Sequence, residues 1–342
     1  MKRIIFCLFF ASLGLISLFA FEVTVTGPDA EVSTEIKNEV EDFTNRINNE
    51  ELNAFNTWLA NTTATASRGI GWDYANTGFK YFTLGVSVSA GVSPAQNIKK
   101  LKALFSETNE NDNEINLLAP SVLSGVYLGL DMHYVPVPIL KDFKFYTNFF
   151  YMDYAKLLNK SLSERAVDKA AVTSFGIHFV YPVVKPVTLV SKHLFYWGGV
   201  LVSGGLDYVA NDIRVNMQKE LTNNGNSDRF FIKARMDSKI FTLPIEVSTN
   251  IRLIHVLSLF AGLGTDFNFG KAYLDISGTI QDNGDTYDVT IDLGKKGRPH
   301  FMSVRAFTGC EINIAVFHIL AKAEYSIASK TLAAQVGTSI SY

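Results

Sequence analysis

Histidine is the residue type best suited to metal or acid–base chemistry, and this 342-residue chain has six, at His133, His178, His193, His255, His300 and His318. They are scattered, with no His-Glu-x-x-His or comparable ligand spacing, so each reads as an interface, turn or interior residue. No Gly-x-Ser-x-Gly nucleophile elbow and no P-loop occur. Gly262-Leu-Gly264 and Gly69-Ile-Gly71 read as strand or turn glycines. Asp282, Asp285, Asp288 and Asp292 surround an Asp-Asn-Gly-Asp turn, but their spacing is not that of an EF-hand, and a solvated hairpin tip explains them. The two cysteines, Cys7 and Cys310, form no metal cluster, and Cys7 lies in a segment expected to be removed. The sequence therefore predicts no metal, no cofactor and no enzymatic activity.

The more informative charges interrupt apolar alternations: Asp207, Glu246, Arg305, Glu311, Lys322 and Glu324. A charge inside a strand needs an interior or aqueous face, which raises the question of what elements carry it. The formal net charge of −2 provides no polybasic signature, and nucleic acid is excluded as an expected partner. Aromatic residues make up 13% of the chain, with 26 Phe and 14 Tyr, which fits pleated sheet.

Residues 1–20 read as a secretory signal, with Lys2 and Arg3 before an apolar run ending at Ala20. More apolar sequence follows Cys7 than precedes it, the wrong arrangement for lipid attachment. Residues 21–76 form an N-terminal segment. Within it, 32–60 has a helical period, with Val32, Ile36, Val40, Phe43 and Ile47 continued by Leu52, Phe55, Trp58 and Leu59. From Asn61, the run of small and β-branched residues is expected to break the helix.

From about Tyr81 the period becomes two. Phe82, Leu84, Val86, Val88, Ala90 and Val92 alternate with Tyr81, Thr83, Gly85, Ser87, Ser89 and Gly91. Twelve residues without exception suit a tilted membrane strand of about 9–11, whereas soluble strands average about 5–6. The same alternation returns over 241–251, 302–314, 319–327 and 332–342. Pro244 falls inside one such run and requires a bulge or a lapse in the ladder, because it donates no backbone bond.

Connections alternate between long polar stretches (93–120, 155–170, 218–229, 281–299) and short apolar ones such as Arg252–Val256. Outer-membrane barrels have long external loops and short periplasmic turns. The sequence thus predicts an all-β, antiparallel up-and-down transmembrane barrel over residues 77–342. Ten strands fit, at about 79–92, 121–134, 141–154, 171–181, 195–217, 230–251, 257–280, 286–314, 317–327 and 331–342. A further hairpin within 274–293 would raise the count to twelve or fourteen. With apolar faces toward lipid, the six charged residues point into the lumen. An Arg or Lys on the lipid side would cost about 2–4 kcal/mol near the midplane. Arg305, Lys322 and Glu324 then lie on adjacent strands, placed to form an internal ion-pair network.

The last strand, alternating and ending on Tyr342, resembles the assembly signal of bacterial outer-membrane proteins. A helical segment before the first strand is similar to the hatch of long-chain fatty-acid transporters and related hydrophobic-compound channels. The chain is shorter than those proteins and lacks their Asn-Pro-Ala, so no ligand-contacting residue is carried over. The resemblance implies a passive outer-membrane channel for small or hydrophobic compounds, occluded by the helix through Ile36, Val40, Phe43, Ile47, Phe55 and Trp58. Its implied partners are outer-membrane lipids, the assembly machinery and small hydrophobic solutes. The alternative is a closed barrel that acts as a surface-exposed adhesin or envelope scaffold.

Overall fold

The structure is a computed structural model that describes residues 22–26, 49–66, 74–75, 81–94, 118–159, 165–190, 195–223, 226–254, 256–282, 285–292 and 296–342. The expected signal at 1–20 lies outside them. In chain order the elements are β1 (Glu22–Thr26), α1 (Asn49–Ala66), β2 (Phe82–Pro94), β3 (Leu118–Asp131) and β4 (Lys144–Asp153). Then come α2 (Ala155–Asn159), β5 (Arg165–Val184), β6 (Val187–Thr188), β7 (Phe195–Asn223) and β8 (Asn226–Leu253). The chain ends with β9 (Leu257–Asp282), β10 (Asp285–Asp292), β11 (Met302–Ile314), β12 (Phe317–Ser326) and β13 (Thr331–Ser341).

Ten of these strands form a closed antiparallel barrel, β2-β3-β4-β5-β7-β8-β9-β11-β12-β13, with β13 returning to β2. Closure matters because lipid offers no partner to an unpaired backbone group. The period of two sets the faces. On β2, Leu84, Val86 and Val88 are exposed while Thr83, Ser87 and Ser89 are buried, and the same division holds along β8, β12 and β13. The exposed apolar side chains form the outward band that a membrane barrel presents to lipid.

Pro244 lies in the β7–β8 ladder where pairing lapses between Gly204↔Ile245 and Asp207↔Thr242 without a change of register. The missing donor is thus accommodated by two unpaired positions. The strand expected over 286–314 is in fact two. β10 folds back on β9 as a hairpin, and β11 starts separately at Met302. That hairpin adds no barrel strand, because β10 pairs with β9 beyond the part of β9 that meets β11.

β7, β8 and β9 have 29, 28 and 26 residues, far more than the about 9–11 that span a bilayer. They continue past the barrel at the long-loop end, where β10 and then β1 extend the sheet. The opposite mouth carries the short turns and an aromatic group, with Tyr81 stacked on Tyr342 at 5.7 Å and tilted against Tyr134 at 4.9 Å. Here Tyr342 N–H donates to Phe82 O at 2.9 Å and joins the last strand to the first.

Candidate functional site

α1 lies inside the barrel. Its residues from Leu59 to Ala66 are all buried, and it packs on β2, β3 and β13 on one side and β8 and β9 on the other. Asn61 Oδ1 accepts from the backbone N–H of His300 at 2.8 Å, and Thr63 Oγ1 approaches Ser238 Oγ at 3.4 Å. Ala66 packs with Leu123, Tyr127, Val172 and Val209. Midway along the helix Gly297 touches its backbone, and a Cβ there would sit 2.1 Å from Asn56 C.

The helix does not stop at Asn61, as its composition suggested. It continues through Ala66, and the hydroxyls explain how. Thr62 Oγ1 donates to the carbonyls of Trp58 and Leu59, and Thr65 Oγ1 to that of Asn61, each at 3.0 Å. Such back-bonding satisfies a buried hydroxyl within the helix itself. Enclosure by the barrel then outweighs the modest helix propensity of Thr.

Below α1 the chain returns as Tyr74 and Ala75. Tyr74 is stacked on Phe260 with ring centroids 4.6 Å apart and tilted against Phe307 at 5.3 Å. Its hydroxyl donates to Glu246 Oε2 at 3.1 Å and accepts from Lys322 Nζ at 3.2 Å. Ala75 N–H donates to Glu311 Oε2 at 3.3 Å, and Arg252 Nη2 donates to Ala75 O at 3.5 Å.

Beside Tyr74 lies a fully buried guanidinium. Arg305 Nε donates to Asp266 at 3.0 Å and Nη1 to Glu324 at 3.1 Å, while Nη2 donates to Glu246. Lys322 Nζ lies 2.9 Å from Glu324, so two cations face three carboxylates. Buried charges of this kind are tolerable only when every one is paired, because desolvation costs several kcal/mol per ion, about as much as the pairing returns. Gly264 makes room: a Cβ there would lie 3.1 Å from Arg305 Cζ.

The structure therefore gathers Glu246, Glu311, Arg305, Lys322 and Glu324 around Tyr74–Ala75, all five buried. Asp207, also buried, pairs instead with His178 Nε2 of β5 at 2.8 Å. Of the apolar helix positions, Ile36, Val40, Phe43 and Ile47 lie outside the described residues, Phe55 falls within α1, and Trp58 is half-buried on it. Tyr342 sits at the short-turn mouth. Sequence reasoning missed Asp266 and Tyr74. Asp266 had a signal, a lone carboxylate on the face shared by Ser258, Phe260, Gly262 and Gly264. Among the described residues no group of three or more His, Cys, Asp or Glu is placed to hold a metal ion.

A family model described as Lsa36-like matches residues 19–342. The chain belongs to the Lsa36-like family. No curated protein matches this Lsa36-like chain. Its barrel is distantly similar to solved outer-membrane barrels. The translocator domain of the autotransporter NalP from Neisseria meningitidis is 9% identical over 79% of this chain and 91% of that one, with a TM-score of 0.37. The toluene transporter TbuX of Ralstonia pickettii is 9% identical over 84% and 100%, with a TM-score of 0.27. The monoaromatic hydrocarbon channel CymD gives 9%, 83% and 98%, with a TM-score of 0.26. The Lsa36-like chain is thus a barrel of the bacterial outer-membrane type, on its own closed ladder and outward apolar band.

Proposed function

We propose that this Lsa36-like barrel is a passive, non-catalytic outer-membrane channel for small or hydrophobic compounds, held closed at rest by its N-terminal segment. It would reach the membrane through the signal at 1–20 and the outer-membrane assembly machinery, with the strand that carries Tyr342 as the segment recognised. The observation that carries the reading is the buried run from Leu59 to Ala66 between facing walls of the barrel. A permanent core would be expected to use large apolar side chains. Four of these eight residues are Asn61, Thr62, Thr63 and Thr65, with Ser238 and Asn211 opposite Thr63, polar positions that stay wettable once the segment withdraws, beside the apolar group at Ala66. An apolar patch of Val180, Leu201, Phe260 and Leu320 lies around Tyr74 and would suit a partly hydrophobic solute.

The test is planar-bilayer conductance of the refolded full chain against a variant lacking 21–76. The full chain should be closed for most of the recording, and the deletion variant should conduct. A folded deletion variant that remains silent rejects the channel. A second reading, a surface-exposed adhesin or envelope scaffold, is favoured by one observation, the extension of β7 to β10 beyond the barrel. Silence of both proteins would promote it.

A further inference from the structure

We infer that the outer wall over β8 and β9 carries a binding site for a phosphorylated lipid of the outer leaflet. The inference rests on the outer-membrane orientation, with the long-loop end outward, and not on the channel reading. Its residues are Lys239, Lys271 and Arg298. Lys239 pairs directly with Lys271 in the β8–β9 ladder. The bridge between Ala272 and Gly297 runs in the same register as Met302↔Phe267, and so places Arg298 opposite Lys271. All three side chains are exposed, on the face that carries Phe241, Leu243 and Ile245.

Three cations abreast are an unusual arrangement for a sheet, since like charges directly opposite are destabilising. Neighbouring rows show why these need an external anion. One row toward the short-turn end, Phe241 faces Phe269, with Tyr208 4.5 Å from Phe241 and Phe301 5.4 Å from Phe269, ring to ring. This aromatic row marks the edge of the lipid band, because such rings settle at the membrane interface. One row the other way lie Asp212 and Asp237, and these are already engaged. Lys169 Nζ is 2.7 Å and Arg214 Nη2 2.9 Å from Asp212, and Arg235 Nη2 is 3.2 Å from Asp237. Among the described residues no ion pair joins Lys239, Lys271 or Arg298 to a carboxylate. The wall thus reads, from the membrane outward, as apolar, aromatic, cationic and then ion-paired. A free cationic row between aromatic rings and water lies at headgroup height. The phosphate of a lipid whose acyl chains lie on Phe241 and Phe269 complements it in both charge and depth.

The experiment uses the full-length barrel in non-ionic detergent, with bis-phosphorylated lipid A as the probe and native mass spectrometry as the readout. The double variant Lys239→Gln/Lys271→Gln is compared with Lys141→Gln/Lys185→Gln, which removes the same charge at the opposite mouth. The first should bind about tenfold more weakly than the wild type, the second equally well. Heat-modifiable gel migration checks that each barrel is closed, and the single change Lys271→Gln serves if the double variant fails to fold. Equal binding by all forms overturns the site. So does binding of phosphatidylcholine as tight as that of lipid A. Displacement by inorganic phosphate at matched phosphate concentration overturns the lipid as occupant.

Discussion

Replacing Tyr74 by Ala should release the N-terminal segment while leaving the barrel closed as a sheet. Tyr74 contributes nothing to the strand ladders, so its loss acts on docking of the segment. Truncating a large buried aromatic side chain costs about 3–5 kcal/mol. The upper part of that range applies, because the hydroxyl joins Glu246 to Lys322 and the ring lies between Phe260 and Phe307. At 1.4 kcal/mol per decade the upper part of this range shifts the docked-to-released ratio by roughly 10³-fold or somewhat more. Tyr74→Phe keeps the ring and loses only hydrogen bonds to charged groups, worth about 1.5–3 kcal/mol. Single-channel recording should therefore rank open probability Ala above Phe above wild type. Protease added at the long-loop side should cleave residues 49–66 in the same order. A folded Tyr74→Ala protein as silent and as protected as the wild type would refute the docking role of this residue.

Two further perturbations follow from the same geometry. Gly297→Leu places a side chain where the backbone of Asn56 and Thr57 now lies, and should push the middle of α1 away. Bound-state protection of 56–66 in hydrogen exchange should fall while that of β11 to β13 persists. Arg305→Met removes the guanidinium that three buried carboxylates share and should destabilise the barrel by about 3–5 kcal/mol in urea unfolding. Arg305→Lys should recover only part of this, since an ammonium cannot reproduce the guanidinium fork.

The barrel was legible in the sequence because one physical rule writes it everywhere. Alternation on β2, β8, β11, β12 and β13 marks lipid and lumen residue by residue, and each of those strands except β11, which starts only at Met302, is present at nearly the expected bounds. What failed was local inference where tertiary contact dominates. Thr62 to Ala66 look like a helix breaker in isolation and are helical because walls on both sides enclose them. The run 286–314 looked like one strand because nothing in its alternation marks the change of partner from β9 with β10 to β9 with β11. The charged residues were findable as exceptions to an apolar pattern. Their contact with Tyr74 was not, because it joins positions 172 and 248 residues apart.

The path of the chain links these findings. β1 sits on β10 beyond the barrel, α1 passes Gly297 at Asn56–Thr57 and ends against Leu123 and Tyr127, Tyr74 meets the Arg305 cluster, and Tyr81 stands at the short-turn mouth. The described parts of the N-terminal segment thus lie in chain order from the long-loop end toward the opposite mouth. Chain order makes this feasible without passing a terminus through a finished barrel. β2 is the first wall strand and β13 the last, so the segment can lie along the inner face of β2 and β3 until β13 closes the seam. Its placement also serves the wall it lies on. Gly91 of β2 approaches the backbone of Thr62, and the hydroxyl-lined inner face there finds its complement in the Thr and Ala residues of α1. The wall of β2 and β3 and the segment that crosses it are two halves of one packed unit. On the proposed channel reading, opening the lumen would exchange those contacts for water, at least cost where the wall carries hydroxyls.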